Sequence, residues 1–339
     1  MTSVDIGLRF DDPELEASVR AGVEAVEAAL RKACRADDDF VSVIAGHLLD
    51  AGGKRFRPLL AVLSAHFGDP RAPGVVPAAV VIELTHLATL YHDDVMDEAN
   101  VRRGAPSANA RWDNTVAILT GDFLFSRASN ALADLGPEAV RIQAQTFERL
   151  VIGQIRETVG PPEGGDRIQH YLDVLIGKTG SLIAAAAQLG AKFAGVDETS
   201  VDLLRRIGEE VGVAFQLSDD ILDIESDSAG LGKTPGTDLR EGIATLPVLY
   251  ALREGPVHGT REQIADAARL RELVSGPITD ATMRQEALTL LRRSAALEEA
   301  RAVLYAYANR ARSMMAELPD LPARAALAAL IDLTVNRTR

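Results

Sequence analysis

Two groups of aspartate residues with the same spacing are the side chains in this sequence best suited to chemistry. The first reads Asp93-Asp94-Val95-Met96-Asp97 and the second reads Asp219-Asp220-Ile221-Leu222-Asp223. Residues four apart in a helix lie on one face, about 6 Å apart along the axis. The first and last aspartate of each group therefore share a face. Like charges at this spacing repel by a few tenths of a kcal/mol, which predicts that cations neutralise them.

Magnesium fits these carboxylates best, because it prefers oxygen ligands and is typically held by one or two carboxylates together with substrate phosphates. Two such groups facing each other would hold several ions around one diphosphate and make it a better leaving group. Calcium storage is a weaker interpretation, since neither group has the spacing and the glycine of an EF-hand loop. A solvated acidic surface explains one group more readily than two with identical spacing and apolar flanks.

A basic segment, Gly53-Lys54-Arg55-Phe56-Arg57-Pro58, places three cations within four residues of a chain whose net charge is −13. It is either a solvated loop or an anion site in which a glycine turn leads into a helix N-terminus. A second basic pair, Arg102-Arg103, follows the first aspartate group. These arginines could neutralise the aspartates or hold a metal-bound diphosphate.

His86 lies seven residues before Asp93, within about 20° of two full helical turns, so it shares a stripe with Asp93 and Asp97. A lone histidine in an apolar helix is usually a core residue, and only the shared stripe favours a role in binding. Together these side chains predict one metal-bound and one cation-bound phosphorylated substrate, each with an apolar tail. The predicted cationic set is Lys54, Arg55, Arg57 and Arg103, with His86.

The elements that position these groups are predicted to be helices. Apolar residues make up 47% of the sequence and aromatic residues only 4%, which favours packed helices over sheets. Apolar helices over residues 78–90 and 201–224 precede or carry the aspartate groups. With no internal repeat and no long linker, one all-α domain over residues 1–339 is predicted. The other predicted helices begin at Pro13 or cover residues 40–49, 58–67, 112–135, 137–159, 167–176, 181–194, 244–253, 260–274, 279–318 and 323–336.

The composition also excludes several classes of protein. The charge of −13 argues against sequence-independent nucleic-acid binding, which needs a basic surface. The single cysteine, Cys34, excludes an intrachain disulfide and is typical of a reducing compartment. The N-terminus lacks the pattern of a signal peptide. The most apolar stretch, residues 73–91, contains Glu83 and Pro77, so no transmembrane segment is predicted, and we expect a soluble, cytoplasmic protein.

These motifs together resemble those of the trans-isoprenyl diphosphate synthases, the polyprenyl synthetase family. The resemblance covers residues 52–247. It implies an all-α helical bundle around a deep central cavity and a homodimer. The motifs that carry it are Gly-Gly-Lys-Arg-Phe-Arg-Pro at 52–58, His86, the first aspartate group, Arg102-Arg103-Gly104, Lys178-Thr179, Gln216 and the second aspartate group.

The resemblance implies condensation of an allylic diphosphate with isopentenyl diphosphate. The allylic C–O bond ionises with the help of Mg²⁺, about three ions per site by resemblance, and the isopentenyl double bond attacks the carbocation. A proton is then lost to the departing diphosphate. The implied metal ligands are Asp93, Asp94, Asp97, Asp219, Asp220 and Asp223. Isopentenyl diphosphate is assigned to Lys54, Arg55, Arg57, His86 and Arg103, and the allylic substrate to Arg102, Lys178, Thr179, Gln216 and Lys233.

One position departs from the family pattern. Family members commonly have lysine after Glu-Gly, where this chain has Ile243 after Glu241 and Gly242. The change removes one expected diphosphate contact and predicts weaker allylic binding. Activity is still expected, because Lys233 is present.

The length of the product follows from the size of the residues before the first aspartate group. Thr89 lies one turn before Asp93, next to Ala88. In this family bulky aromatic residues at these two positions close the pocket, so small ones predict a long-chain product of about six to ten isoprene units (about C30–C50). Leu84 or Val81, deeper on the helix, could still block the tunnel and give a C15 or C20 product. The simpler alternative is that these are ordinary small core residues.

Three other functions remain to be distinguished. A class I terpene cyclase shares helices and a metal-binding acidic group but does not need the basic segment, and it would form a hydrocarbon from the allylic substrate alone. Head-to-head synthases of the squalene type are disfavoured for a similar reason. An inactive partner subunit of a heteromeric synthase would be expected to lose acidic or basic ligands, which this chain retains.

Overall fold

The computed structural model describes residues 8, 10–226, 235–253 and 260–336. Almost all of its regular structure is α-helical, which confirms the predicted all-α class. The exceptions are two short strands, β1 (Val101–Arg102) and β2 (Ala105–Pro106), and a π-helical turn at Ile176–Gly180. The α-helices are α1 (Pro13–Ala33), α2 (Asp39–Asp50), α3 (Phe56–Ala65), α4 (Val75–Met96), α5 (Ala108–Trp112), α6 (Asn114–Leu135), α7 (Pro137–Val159), α8 (Arg167–Leu175), α9 (Ser181–Phe193), α10 (Glu198–Glu225), α11 (Thr237–Glu241), α12 (Leu246–Leu252), α13 (Arg261–Leu273), α14 (Ala281–Arg292), α15 (Ala295–Met315) and α16 (Pro322–Val335).

The described part of the chain divides into two compact units. The first contains the described residues of Met1–Arg149, together with Ser181–Glu209 and Met314–Leu330. The second contains Leu150–Gly180 and the described residues of Glu210–Ser313 and Ile331–Arg339. The first aspartate group and the basic segment belong to the first unit, and the second aspartate group belongs to the second. The single domain and the deep central cavity stay predictions.

In the first unit, α4 packs against α6 and α3 packs against α9. Two glycines allow these close approaches. A Cβ atom on Gly121 of α6 would collide with the His92 ring and lie 3.1 Å from the Ala88 carbonyl oxygen of α4. A Cβ atom on Gly190 of α9 would collide with the Ala61 backbone of α3. The site-bearing helix α4 thus lies close against α6, and α3 lies close against α9.

Several helix boundaries differ from the predictions. The helix predicted over residues 78–90 extends over Val75–Met96, so it includes Asp93 and Asp94. The helix predicted over 112–135 is interrupted at Asp113, whose side chain accepts a hydrogen bond from the Val116 N–H and caps α6. The helix predicted over 279–318 ends at Arg292 and resumes at Ala295.

Within the described residues, two stretches have the length and composition of a membrane span, Val75–Met96 and Arg167–Phe193. Their most apolar windows are 67% and 72% buried inside the structure. A helix whose apolar surface is already covered by protein gains nothing from lipid, so both stretches are core helices.

Candidate active site

The first aspartate group lies at the C-terminal end of α4. Asp93 lies in the last turn and Asp97 is the C-terminal capping residue, whose N–H donates to the Asp93 carbonyl oxygen at 2.8 Å. The side chain of Asp97 is 56% exposed and that of Asp93 is partly buried. Because α4 is continuous from His86 to Asp93, the predicted stripe of His86, Asp93 and Asp97 lies along one face of the helix.

Asp94 has a different environment from its two neighbours. It is fully buried, and Arg102 donates from Nε to Asp94 Oδ1 at 2.6 Å. The other oxygen, Oδ2, is buried without a hydrogen-bond partner among the described residues. Burial raises the pKa of Asp94, and the positive charge of Arg102 opposes that shift. Asp94 therefore holds Arg102 in place.

A two-residue hairpin turn positions Arg102 and Arg103. Strands β1 and β2 pair with Arg102 opposite Ala105, and the turn residues Arg103 and Gly104 have φ values of 54° and 76°. Positive φ at both central residues is the signature of a type I′ turn. Arg103 donates from Nη1 to the Leu48 carbonyl oxygen at 2.7 Å and to that of Gly52. Its charge thus lies at the C-terminal end of α2, where a helix favours a cation.

Arg55 is anchored in the protein by nearly all of its donors. Its guanidinium group pairs with Glu27, with Nε 2.7 Å from Oε2 and Nη2 3.4 Å from Oε1. It also donates to the Leu49 carbonyl at 2.9 Å and to the Gly52 carbonyl at 3.0 Å. Its side chain is 5% exposed. These contacts give Arg55 a structural role in holding the glycine turn, and its assignment to isopentenyl diphosphate stays a prediction.

Arg57 and His86 complete the cationic cluster, which consists of Lys54, Arg55, Arg57, His86 and Arg103. The Nε atom of Arg57 is buried and has no hydrogen-bond partner in the part of the chain that the structure describes. Burial lowers the pKa of Arg57 to about 10, and Glu83 opposes that shift, so Arg57 stays charged at neutral pH. Burial and the nearby arginines, Arg57 first among them, lower the pKa of His86 well below its usual value. His86 is therefore a neutral imidazole that can donate one N–H to an anion.

The second aspartate group lies at the C-terminal end of α10, in the second unit. Asp220 is buried and accepts hydrogen bonds from the Tyr171 hydroxyl and from Gln216 Nε2 at 2.9 Å. Burial raises the pKa of Asp220 to about 6, against the effect of these two hydrogen bonds. Asp219 is exposed. As in the first group, the middle aspartate is enclosed by protein and its neighbours are more accessible.

Asp223 connects the second aspartate group to the start of α11. Its carboxylate accepts from the N–H groups of Thr237 at 3.2 Å and Asp238 at 3.1 Å, at the start of α11. Its carbonyl oxygen accepts from the Gly236 N–H at 2.9 Å. Lys233, which the sequence assigns to the allylic substrate, lies outside the described residues.

The π-helical turn carries Lys178 and Thr179. Such turns recur at functional sites because they displace side chains from regular helical positions. Lys178 Nζ lies 2.5 Å from Glu157 Oε2. Thr179 donates from Oγ1 to Gln216 Oε1 at 3.4 Å, and Gln216 in turn donates to Asp220. Within the second unit Thr179 and Gln216 are thus linked to the second aspartate group, whereas Lys178 pairs with Glu157.

The three residues assigned to chain length are not equivalent. Leu84 and Ala88 are fully buried, and the Ala88 carbonyl faces Gly121 of α6. Thr89 is partly buried, and its hydroxyl donates to the His86 carbonyl at 2.8 Å. Around the helix axis Thr89 lies about 40° from Asp93, and Ala88 lies about 140° away. Thr89 is therefore on the aspartate side of α4, and Ala88 is on the side that packs against α6.

Sequence reasoning missed three of the side chains that organise the site. In the sequence Glu83 is only a charge within an apolar run, yet in the structure it is 2% exposed and lies 3.7 Å from Arg55. Nothing in the sequence singles out Tyr171 or Glu157. The available signal for Glu83 was its charge on an otherwise apolar helical face, because a buried carboxylate requires a partner.

The carboxylates fit a divalent cation that is bound jointly with substrate. Among the described residues, no group of three or more acidic, histidine or cysteine side chains surrounds a common point. The accessible donors are instead pairs four residues apart, Asp93 with Asp97 and Asp219 with Asp223. Magnesium commonly uses one or two carboxylates and completes its coordination with substrate phosphates and water. This donor set matches that pattern.

The comparisons with known proteins agree with this geometry. The model of the polyprenyl synthetase family matches residues 38–278. The chain is 55% identical to nonaprenyl diphosphate synthase of Mycobacterium tuberculosis, with 99% of this chain and 98% of that protein covered. It is 44% identical to dimethylallyltranstransferase of the same organism, with 96% and 97% covered.

A solved structure supports the same relationship. The chain is similar to geranylgeranyl pyrophosphate synthase of Corynebacterium glutamicum, crystallised with calcium and isoprenyl diphosphate, at a TM-score of 0.86 and 46% identity. The match covers 97% of this chain and 99% of that one. That relative holds a divalent cation together with an isoprenyl diphosphate. The resemblance seen in the motifs is confirmed: the chain belongs to the polyprenyl synthetase family and is a prenyltransferase.

Proposed function

We propose that this prenyltransferase uses Mg²⁺ to condense an allylic diphosphate with isopentenyl diphosphate and extends it to a long-chain trans-polyprenyl diphosphate. The observation that carries the proposal is the arrangement of α4. One face of this helix presents His86, beside a cluster of arginines, and Asp93 with Asp97 about two turns further on. Two anion sites of different chemistry on one helix are what two diphosphate substrates require.

The carboxylates and Arg102 serve the allylic diphosphate. When bound, Mg²⁺ neutralises the leaving diphosphate. Asp93, Asp97, Asp219 and Asp223 would hold it, and Asp94 contributes by orienting Arg102 toward the same group. Lys178, Thr179, Gln216 and Lys233 are assigned to this substrate as well. That the two aspartate groups face each other stays a prediction.

The cationic cluster serves isopentenyl diphosphate. Arg57 has an unpartnered donor, Arg103 brings its charge to the end of α2, and neutral His86 can donate one hydrogen bond. Lys54 adds an exposed ammonium group. Arg55 contributes indirectly, because it holds the glycine turn at Gly52 in place. Positioning of the two substrates and electrostatic stabilisation are then the main contributions of the protein to the rate.

The identities to two named relatives favour a long-chain prenyl product. Identity is 55% to the nonaprenyl diphosphate synthase and 44% to the dimethylallyltranstransferase. The small side chain of Thr89 on the aspartate side of α4 agrees with this choice. We place the reaction in the cytoplasm, because the apolar helices are core helices and the single cysteine is typical of a reducing compartment.

The direct test is turnover by the purified chain. Labelled isopentenyl diphosphate is incubated with C10, C15 or C20 allylic diphosphates and Mg²⁺, and the products are separated by chromatography. Long-chain prenyl diphosphates are expected. A hydrocarbon from the allylic substrate alone would indicate a cyclase, and no turnover by the chain alone would indicate a partner subunit.

Replacing Ile243 with lysine is expected to strengthen allylic binding. Ile243 follows α11 and its side chain is 46% exposed, so a lysine can be accommodated without disturbing the core. An exposed ion pair contributes about 0.2–1 kcal/mol, which predicts that KM for the allylic diphosphate falls by up to about fivefold. Steady-state kinetics measure the change, with Ile243→Gln as the uncharged control. An equal fall in KM with glutamine would show that charge is not the cause.

The second unit carries an apolar stripe that we propose is covered by a second copy of the chain. Val151, Ile152, Ile155 and Val159 of α7 are 36%, 44%, 55% and 78% exposed. Their spacing places all four within an arc of about 100°. A contiguous apolar patch of this kind marks an interaction surface, and the family resemblance implies a homodimer.

Aspartate at position 155 is expected to shift the protein from dimer to monomer. The charge would have to be buried without a partner in the interface, which is strongly unfavourable. Light scattering coupled to size-exclusion chromatography measures the mass. Ile264→Asp on α13 is the matched control, since Ile264 is also exposed, at 46%. A wild-type monomer, or a dimer that Ile155→Asp leaves intact, would contradict the proposed interface.

A further inference from the structure

Glu83 is a buried carboxylate inside the cationic cluster, and the reaction as described gives it no role. It lies on α4, three residues before His86, and is 2% exposed. Its Oε1 atom is 3.7 Å from Arg55 Nη1, which is within ion-pair range but too long for a hydrogen bond. A buried carboxylate without compensating charge is strongly unfavourable, so the surrounding cations must supply the compensation.

Three arginines supply it. Burial raises the pKa of Glu83, and Arg55, Arg57 and Arg103 all oppose that shift. The effect is reciprocal: burial lowers the pKa of Arg57 and of Arg103, and for each of them Glu83 is the leading opposing charge. Arg55 and Arg103 also donate to the same Gly52 carbonyl oxygen, so their guanidinium groups are adjacent. Glu83 lies 3.7 Å from one of them and acts as a counter-ion to this pair and to the charge of Arg57.

The other carboxylate near these cations has a narrower role. Glu27 pairs through both of its oxygens with Arg55 and also with Arg31. Arg57 and Arg103 have their leading favourable charge in Glu83. Glu27 is thus already committed to Arg31 and Arg55.

We propose that Glu83 is a positioning residue that holds Arg57 and Arg103 beside the anchored Arg55 and so sets the strength and geometry of isopentenyl diphosphate binding. The inference rests on the proposed function for its substrate. Without the carboxylate the three guanidinium groups repel one another in the empty protein. An incoming anion then becomes their only common counter-ion, so it binds more tightly but in a less defined position.

Glutamine at position 83 keeps the shape of the side chain and removes its charge. Inorganic pyrophosphate is the probe, measured by calorimetry with EDTA present so that only protein cations hold it. Its Kd is expected to fall at least tenfold, because a negative charge beside the site that repels the anion is removed. In steady-state assays kcat/KM for isopentenyl diphosphate is expected to fall, while KM for the allylic substrate changes less than about twofold.

Two further variants separate positioning from a purely structural role. Glu27→Gln also removes an ion-pair partner, one that is partly buried, so it should lower Tm, but pyrophosphate affinity should stay within about twofold of wild type. Glu83→Asp keeps the charge and shortens the side chain, so pyrophosphate affinity should be retained while kcat/KM for isopentenyl diphosphate falls. If Glu83→Gln does not fold, the aspartate variant carries the test by these two measurements.

The outcomes are distinct. An unchanged pyrophosphate Kd in Glu83→Gln, or equal changes in KM for both substrates, would overturn the positioning role. Weakened pyrophosphate binding in Glu83→Asp would overturn it as well. Pyrophosphate binding does not depend on turnover, so wild-type protein that binds pyrophosphate but forms no prenyl product would contradict the proposed function alone.

Discussion

Asparagine at position 93 is expected to lower kcat by about 10²- to 10³-fold, the usual consequence of losing one preorganised group that stabilises charge in a transition state. Asp93 shares its helix face with Asp97 and His86, and an amide cannot offset the charge of a bound cation. The effect is measured as kcat at saturating substrates and Mg²⁺. Exhaustive chelation of the wild-type protein should abolish turnover, and added Mg²⁺ should restore it.

Asp134→Asn on α6 is the control for this experiment, because Asp134 is an exposed aspartate outside both groups. It should leave kcat and Tm close to the wild-type values. Thermal denaturation of Asp93→Asn should show a folded protein, so that the loss of activity reflects chemistry. Undiminished turnover after chelation, or kcat of Asp93→Asn within tenfold of wild type, would show that these carboxylates do not serve a catalytic metal.

Phenylalanine at position 89 is expected to shorten the product by several isoprene units. Thr89 lies on the aspartate side of α4, so a larger side chain there occupies space that the growing chain would use. Each condensation step should remain fast, because no ligand of either diphosphate is changed. Chromatography of the dephosphorylated products measures the length distribution. Thr89→Val, which keeps the volume, should leave that distribution unchanged.

Phenylalanine at position 88 provides the contrast. Ala88 faces Gly121 of α6 across a close backbone contact, and overfilling such a contact costs about 1–3 kcal/mol. The Ala88→Phe variant should therefore lose thermal stability and change product length less than Thr89→Phe. A product ladder unaffected by Thr89→Phe would contradict the tunnel. Equal shortening by both variants would contradict the assignment of Ala88 to the α6 side.

The sequence predicted the structure best where the residues that begin, end or pattern a helix lie within that helix or next to it. Pro137 begins α7 and Val159 ends it, at the predicted positions, because proline suits a first helical turn and a Gly/Pro loop follows. The stripe of His86, Asp93 and Asp97 needed only the helical repeat. These features depend on residues a few positions apart, so local reasoning found them.

Local reasoning failed where a distant residue decides the outcome. The apolar run that predicts a helix over residues 78–90 ends before the aspartates, whereas α4 continues to Met96, although acidic residues are unfavourable at a helix C-terminus. In the structure Arg102, eight residues beyond Asp94, compensates that charge. The partners of Arg55 are Glu27 and Glu83, each 28 residues away. No local pattern predicts such pairs, so the counter-ions of the basic cluster emerged only from the fold.

The hairpin between Asp97 and Ser107 limits how the sequence of this region can vary in length. Its turn consists of Arg103 and Gly104 alone, and side chains in a strand alternate between opposite faces. Adding or deleting one residue would invert that alternation and carry Arg102 away from Asp94. Substitutions on the exposed side of the strands, such as at Val101, should be tolerated far better than any insertion or deletion. In engineering this region it is therefore more important to keep the number of residues than to keep their identities.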